Sequence, residues 1–106
     1  MAEETFEIID GVRRAKSYEL LGQETIPAEI IDEEGNTIAK RDVPIDSLRV
    51  TTKRSIDVST QKDWERFMRT FNQVKAGSLT PPILITPGNE GRKIQDIQLD
   101  PTGESN

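Results

Sequence analysis

The chain has 106 residues, 33% hydrophobic and 31% charged, with a formal net charge of −5 at pH 7. A single domain of this size encloses one modest core and has room for one site. Cysteine and histidine are both absent. That excludes a disulfide framework, a thiolate or imidazole metal site and a cysteine nucleophile, and leaves carboxylate-held hard cations such as Mg²⁺ or Ca²⁺. The opening Met-Ala-Glu-Glu-Thr is no basic-then-apolar leader, and no run approaches a membrane span, so a cytoplasmic chain without a membrane partner is expected. The acidic balance opposes broad nonspecific affinity for nucleic acid but permits a local basic patch.

In chain order, residues 5–10 are short, apolar and closed by Asp10-Gly11, which predicts a strand. Residues 12–21 lack proline and interior glycine and are rich in good helix formers, with Gly22 placed to stop the helix in a left-handed conformation. Ala15, Tyr18 and Leu21 recur at helical spacing and should face the core. Residues 25–32 read as a second strand, which Pro27 would put at an edge or a strand start. A turn at 33–36 lets 37–40 pair back, and 43–50 give a third short strand and turn. Residues 51–58 are polar and read as a loop carrying Lys53 and Arg54.

The second helix has the clearest pattern. Ser59 or Thr60 supplies its N-cap, and Asp63 suits the positive first turn. Trp64, Phe67, Met68, Phe71 and Val74 form one apolar stripe, predicting burial of Trp64 and Phe71, with Arg66, Arg69 and Gln73 elsewhere on the circumference. Gly77 ends the helix, and 82–86 suit a buried strand. Residues 1–88 therefore read as one domain and 89–106 as a polar tail, within which Ile94, Ile97 and Leu99 have the spacing of a small edge strand. The order is β-α-β-(β)-β-α-β, an α+β domain with a small sheet and two main helices.

Two blocks resemble the ParB N-terminal domain of the ParB/sulfiredoxin-like superfamily, in exchanged order. Val43-Pro44-Ile45-Asp46-Ser47-Leu48, then Lys53-Arg54, the Trp64 helix, Gly77 and Pro82-Ile83-Leu84-Ile85 are similar to that family's first half. Phe6-Glu7-Ile8-Ile9-Asp10-Gly11-Val12-Arg13-Arg14-Ala15, then Leu20-Leu21-Gly22 and Thr25-Ile26-Pro27-Ala28-Glu29-Ile30, are similar to its second half. The resemblance implies a circular permutation, with the cut at an exposed hairpin that would have joined 82–86 to 6–10. Those two strands should then lie side by side. Val12 stands where the family has an acidic residue, no cysteine is present for sulfiredoxin chemistry, and no helix-turn-helix segment follows.

The resemblance implies a phosphate site at Gly11, Val12, Arg13 and Arg14, with Lys53 and Arg54 from a facing loop. The residues themselves offer a reason. A glycine lets backbone approach an anion, a helix start presents free N–H groups, and guanidiniums form forks around phosphate. Lys16, one turn on, would extend the patch. The competing reading makes Arg13 and Arg14 surface residues of an ordinary helix. Asp10, Asp32, Asp46 and Asp57 are candidate Mg²⁺ ligands, although nothing in the spacing brings two together.

Three functions follow. A ParB-like DNase would use Arg13 and Arg14 as its catalytic clamp, with Mg²⁺ activating water. A regulatory module would bind a nucleotide or DNA phosphate without cleaving it, and a protein-interaction domain would keep only the fold. The implied partners are DNA or a nucleotide, with a homodimer as the alternative assembly.

Overall fold

The computed structural model describes residues 4–51, 55–78 and 80–101. β1 (Phe6–Asp10) runs into α1 (Val12–Leu20), β2 (Thr25–Ile31) and β3 (Thr37–Pro44). A 3-10 turn (Ile45–Ser47) leads to β4 (Leu48–Val50), β5 (Ser55–Asp57), α2 (Gln61–Lys75) and β6 (Ile83–Pro87). β7 (Arg92–Lys93), a second 3-10 turn (Ile94–Asp96) and β8 (Gln98–Asp100) follow. The domain is α+β. Its main sheet is mixed, in the order β3-β2-β6-β1-β4-β7, and β5 pairs with β8 in a two-stranded ribbon. No helix among the described residues is long and apolar enough to cross a membrane.

Both helices stop as their glycines require. Gly22 and Gly77 take φ of 78° and 74°. Gln23 N–H reaches Tyr18 O and Gly22 N–H reaches Glu19 O, while Ser78 and Gly77 do the same to Gln73 and Val74. This paired bonding satisfies the last carbonyls of each helix. At the start of α2, Thr60 is the cap: its hydroxyl accepts the Asp63 N–H at 3.1 Å.

β1 is central to the sheet. It pairs antiparallel with β6, Phe6 opposite Pro87 and Ile8 opposite Ile85, and parallel with β4. The strands at 6–10 and 83–87 therefore lie side by side although they stand near opposite ends of the sequence. Thr5 and Gly88 tie them further, the Gly88 N–H donating to Thr5 O and the Thr5 hydroxyl to Gly88 O.

The sheet is rolled. Going from β3 to β4 along it crosses four interstrand gaps, about 19 Å if flat. Yet Pro44 and Leu48 are joined by only the 3-10 turn, and four residues reach at most ~14 Å. The sheet must curl until β3 approaches the β1–β4 side. Contacts across this seam confirm it: the Arg41 guanidinium lies 5.9 Å from the Phe6 ring centre and 2.8 Å from Glu4 Oε2.

Inside, Phe6, Ile8, Ala15, Ile26, Ala28, Ile30, Val43, Leu48, Ile83 and Ile85 form one core with Ile56 and Phe67. Several expectations change here. Residues 92–100 are not a polar tail, because Ile94 and Ile97 are wholly buried and β7 and β8 pair with β4 and β5. Of the three residues with edge-strand spacing, Leu99 lies in β8, opposite Ile56, while Ile94 belongs to and Ile97 follows a 3-10 turn that packs into the core. Part of the loop expected at 51–58 is β5, while the last residues expected to be disordered, 102–106, lie outside the described residues. Pro27 sits inside the sheet, tolerated because β2 begins pairing with β6 only at Ala28. Trp64 is 45% exposed, whereas Phe67 is 1% exposed and Phe71 is partly buried. The helix packs on α1 and sends Phe67 into the core, while Trp64, one turn earlier, stays exposed.

Candidate functional site

The turn from β1 into α1 opens a cleft of about 310 Å³. Ile9, Asp10 and residues 11–14 line one side; Arg66 and Thr70 of α2 line the other. The packing of α2 against α1 therefore adds two residues that the sequence reading left out of the site. Their signal was present as a polar pair at i and i+4 beside the apolar stripe, which places both on one flank of α2.

Gly11 caps α1 with φ 111°, a conformation that disfavours any L side chain. A Cβ built there would also lie 2.5 Å from Ile83 Cγ2 and 2.9 Å from Ile83 Cβ. The glycine thus serves the close packing of this turn on β6, a different reason from the ligand approach expected of it. Val12 also packs against the core.

The start of α1 lacks the usual compensations. No side chain caps it, and its first turn contains no acidic residue. Two arginines occupy that turn instead, where the helix dipole repels cations.

The two have different tasks. Arg14 is tied inward: its Nη1 donates to Pro81 O at 2.5 Å and to Pro82 O at 3.2 Å, and its Nη2 lies 3.5 Å from Asp10 Oδ2. It fastens α1 to the segment leading into β6. Arg13 is half-buried, and its Nε is buried without a hydrogen-bond partner.

Asp57 feels the charge of Arg13. The hydrogen bonds from the Ser59 side chain and backbone hold the Asp57 carboxyl below its usual range, and Arg13 pulls the same way against burial and Asp100.

Lys16 does not extend the patch. It is 5% exposed, with Nζ 3.1 Å from Glu19 Oε1 and 3.4 Å from Ile94 O, so it fastens α1 to the second 3-10 turn. Lys53 and Arg54 lie outside the described residues. Among the candidate Mg²⁺ ligands, Asp10 lines the cleft, Asp32 closes its own turn onto the Glu34 and Asn36 N–H groups, and Asp46 accepts from Gln95. No group of three or more acidic side chains converges among the described residues.

The cleft therefore gathers Arg13, Arg14 and Arg66, a threonine and the first turn of a helix around one carboxylate, an arrangement that favours an anion. No family model, curated protein or solved structure matches the chain.

Proposed function

We propose that the chain is a phosphate-binding domain of ParB-like, circularly permuted architecture, taking the phosphate of a nucleotide or of DNA in the cleft at the start of α1. The observation that carries the reading is the meeting of three arginines at a helix start that has no side-chain cap and no acid in its first turn. The three guanidiniums outnumber the one carboxylate of the cleft, Asp10, which leaves a net attraction for an anion. Arg13 and Arg66 hold the phosphate from the two helices, the α1 amides face it, and Arg14 positions the turn through the carbonyls of Pro81 and Pro82. The β1–β6 pairing supports the permuted architecture, since it places the end of β6 against the start of β1, where the uncut hairpin would be.

A DNase is the second reading, favoured by Asp10. Its carboxylate lines the cleft with side-chain exposure of 70%, open enough to hold Mg²⁺ beside a bound phosphate.

Titration with nucleoside triphosphates and with single- and double-stranded DNA, with and without Mg²⁺, tests both. Binding that weakens with salt and is lost in Arg13→Ala/Arg66→Ala supports the phosphate site. Mg²⁺-dependent cleavage lost in Asp10→Asn supports the nuclease. A parent protein that binds none of these at low salt overturns both.

A further inference from the structure

The lining of the cleft at the start of α1 does not balance its charges. Arg13, Arg14 and Arg66 meet a single carboxylate there, Asp10. Asp10 Oδ2 lies 3.5 Å from Arg14 Nη2, so those two offset each other. The excess comes from Arg13 and Arg66, one on each wall. Asp57 feels Arg13 from outside the lining, more weakly than it feels Ser59. Arg13 also keeps a donor unused, since its Nε is buried without a hydrogen-bond partner. The first bond of α1 runs from the Ala15 N–H to Gly11 O at 2.9 Å, which leaves the N–H groups of residues 12–14 outside the helix's own bonding. On the opposite wall the Thr70 hydroxyl reaches the Arg66 carbonyl only at 3.4 Å, a bond weak enough to exchange for a better acceptor.

We propose that the group this cleft takes is a terminal phosphate, a monoester near its dianionic form, rather than an internal diester of a nucleic-acid strand. The proposal rests on the phosphate reading above and decides between its ligands. At pH 7 a phosphate monoester carries a charge of about −1.5 to −2 and three acceptor oxygens. An internal diester carries a single charge, and its remaining oxygens are committed to the strand on either side. Two guanidiniums in excess, amides from one helix and a hydroxyl from the other match the monoester in both charge and number of acceptors.

The surroundings point the same way. At about 310 Å³ the cleft is at the small end for a ligand site, which suits one end group better than a strand passing through. Taking the three arginines and Asp10 from the chain's 14 basic and 19 acidic residues leaves 11 against 18. A strand held by an internal phosphate would carry its next phosphates over that acidic remainder. They would lie within the ~8–10 Å across which charges still act at ordinary salt. A terminal phosphate confines its charge to the cleft. Ile9, which lines the cleft and is 53% exposed, offers apolar surface to the organic group of the ester.

Titration calorimetry of the full chain at low salt tests this, with thymidine 5′-monophosphate and a short oligothymidylate that is either 5′-phosphorylated or ends in hydroxyls. At pH 7 both phosphorylated ligands should bind at least tenfold tighter than the hydroxyl-ended strand. That margin should shrink toward pH 5, because a monoester loses its second charge near pH 6. The chain has no histidine or cysteine to titrate in that range, and Asp10, Asp57 and the arginines act on diester and monoester alike. The margin should also vanish in Arg13→Ala/Arg66→Ala; the pH series uses the parent alone and stands whether or not that variant folds. Tighter binding of the monophosphate identifies a free nucleotide and tighter binding of the phosphorylated strand a nucleic-acid end, and either supports the proposal. A hydroxyl-ended strand that binds as tightly as the phosphorylated one, or a margin constant from pH 5 to 7, overturns the proposal and leaves the phosphate site standing. A parent that binds none of the three overturns the phosphate reading together with it.

Discussion

Gly11→Ala separates packing from ligand binding at the candidate site. The substitution meets two costs in the structure. Its φ of 111° lies where an L side chain is strained, worth about 1–2 kcal/mol by the left-handed backbone penalty. The new Cβ would press on Ile83 Cγ2 and Cβ, a branched and fully buried side chain in a central strand, and overpacking of that kind adds about 1–3 kcal/mol. The expected loss is about 2–5 kcal/mol. Gly22→Ala is the control: its φ of 78° carries the backbone cost, but nothing lies within 4 Å of the added Cβ, so about 1–2 kcal/mol is expected. Urea denaturation monitored by circular dichroism gives both values at constant m. A double-mutant cycle with Ile83→Ala should then recover part of the overpacking cost, about 1–2 kcal/mol, because the nearest clashing atom, Cγ2, is gone while the Cβ at 2.9 Å remains. If Gly11→Ala were no worse than Gly22→Ala, or showed no coupling to Ile83, the glycine would not be there for packing and the ligand-approach explanation would return.

Phe67→Ala should cost about 3–5 kcal/mol, since the ring is almost wholly buried, while Trp64→Ala on the exposed flank should cost well under half as much; chemical denaturation of the pair checks this. Arg13→Ala and Arg66→Ala should each weaken binding of a phosphate ligand by about 1.5–3 kcal/mol, measured by titration calorimetry, while Arg14→Ala, which loses the bonds to Pro81 and Pro82, should lower the melting temperature more than either. Asp57, whose carboxyl is held below its ordinary range, stabilises the fold above about pH 4 and loses that contribution as pH falls through its lowered value. Melting temperatures of parent and Asp57→Asn should therefore differ at pH 6 and converge toward pH 2; a constant difference across that range would show that Asp57 titrates at its ordinary value.

The legible parts of the sequence were those governed by local rules. Strand, turn and helix at 6–20, the Thr60 cap and the two glycine stops all depend on neighbours a few residues apart, and the structure places them within a residue or two. What escaped depended on distance. Trp64 and Phe67 belong to one apolar stripe, and only the tilt of α2 on α1 decides which is enclosed. Ile94 and Ile97 stand in a polar stretch whose composition outweighed their spacing, and their burial depends on α1, β4 and the first 3-10 turn, which lie far away in the sequence. Lys16 looked like an extension of Arg13 and Arg14 in sequence. Helical rotation turns it instead toward Glu19 and the Ile94 carbonyl. Arg66 reached the cleft for the same reason: helix packing, not spacing, carries it there.

The two helices give opposite testimony about where function resides. α2 meets its local requirements: a threonine cap, an acid in the first turn, a lysine in the last, and a left-handed glycine after it. α1 shares only the glycine stop. At its start it has no capping side chain, no first-turn acid, and two cations against the dipole, with a third brought in by α2. A chain that satisfies these rules at one helix and departs from them at the other does not depart through poor composition, since acids outnumber bases by 19 to 14. Exchanging Arg13 for one of those acids would suit the helix dipole by about 0.3–1 kcal/mol, set against the loss of its attraction to Asp57. Local conflicts of this kind are expected where a site must stay poised for a ligand, because the ligand supplies the missing charge. On that argument the phosphate we propose would complete α1, adding to the Asp10 and Asp57 carboxylates the negative charge that its amides, Arg13 and Arg66 together favour.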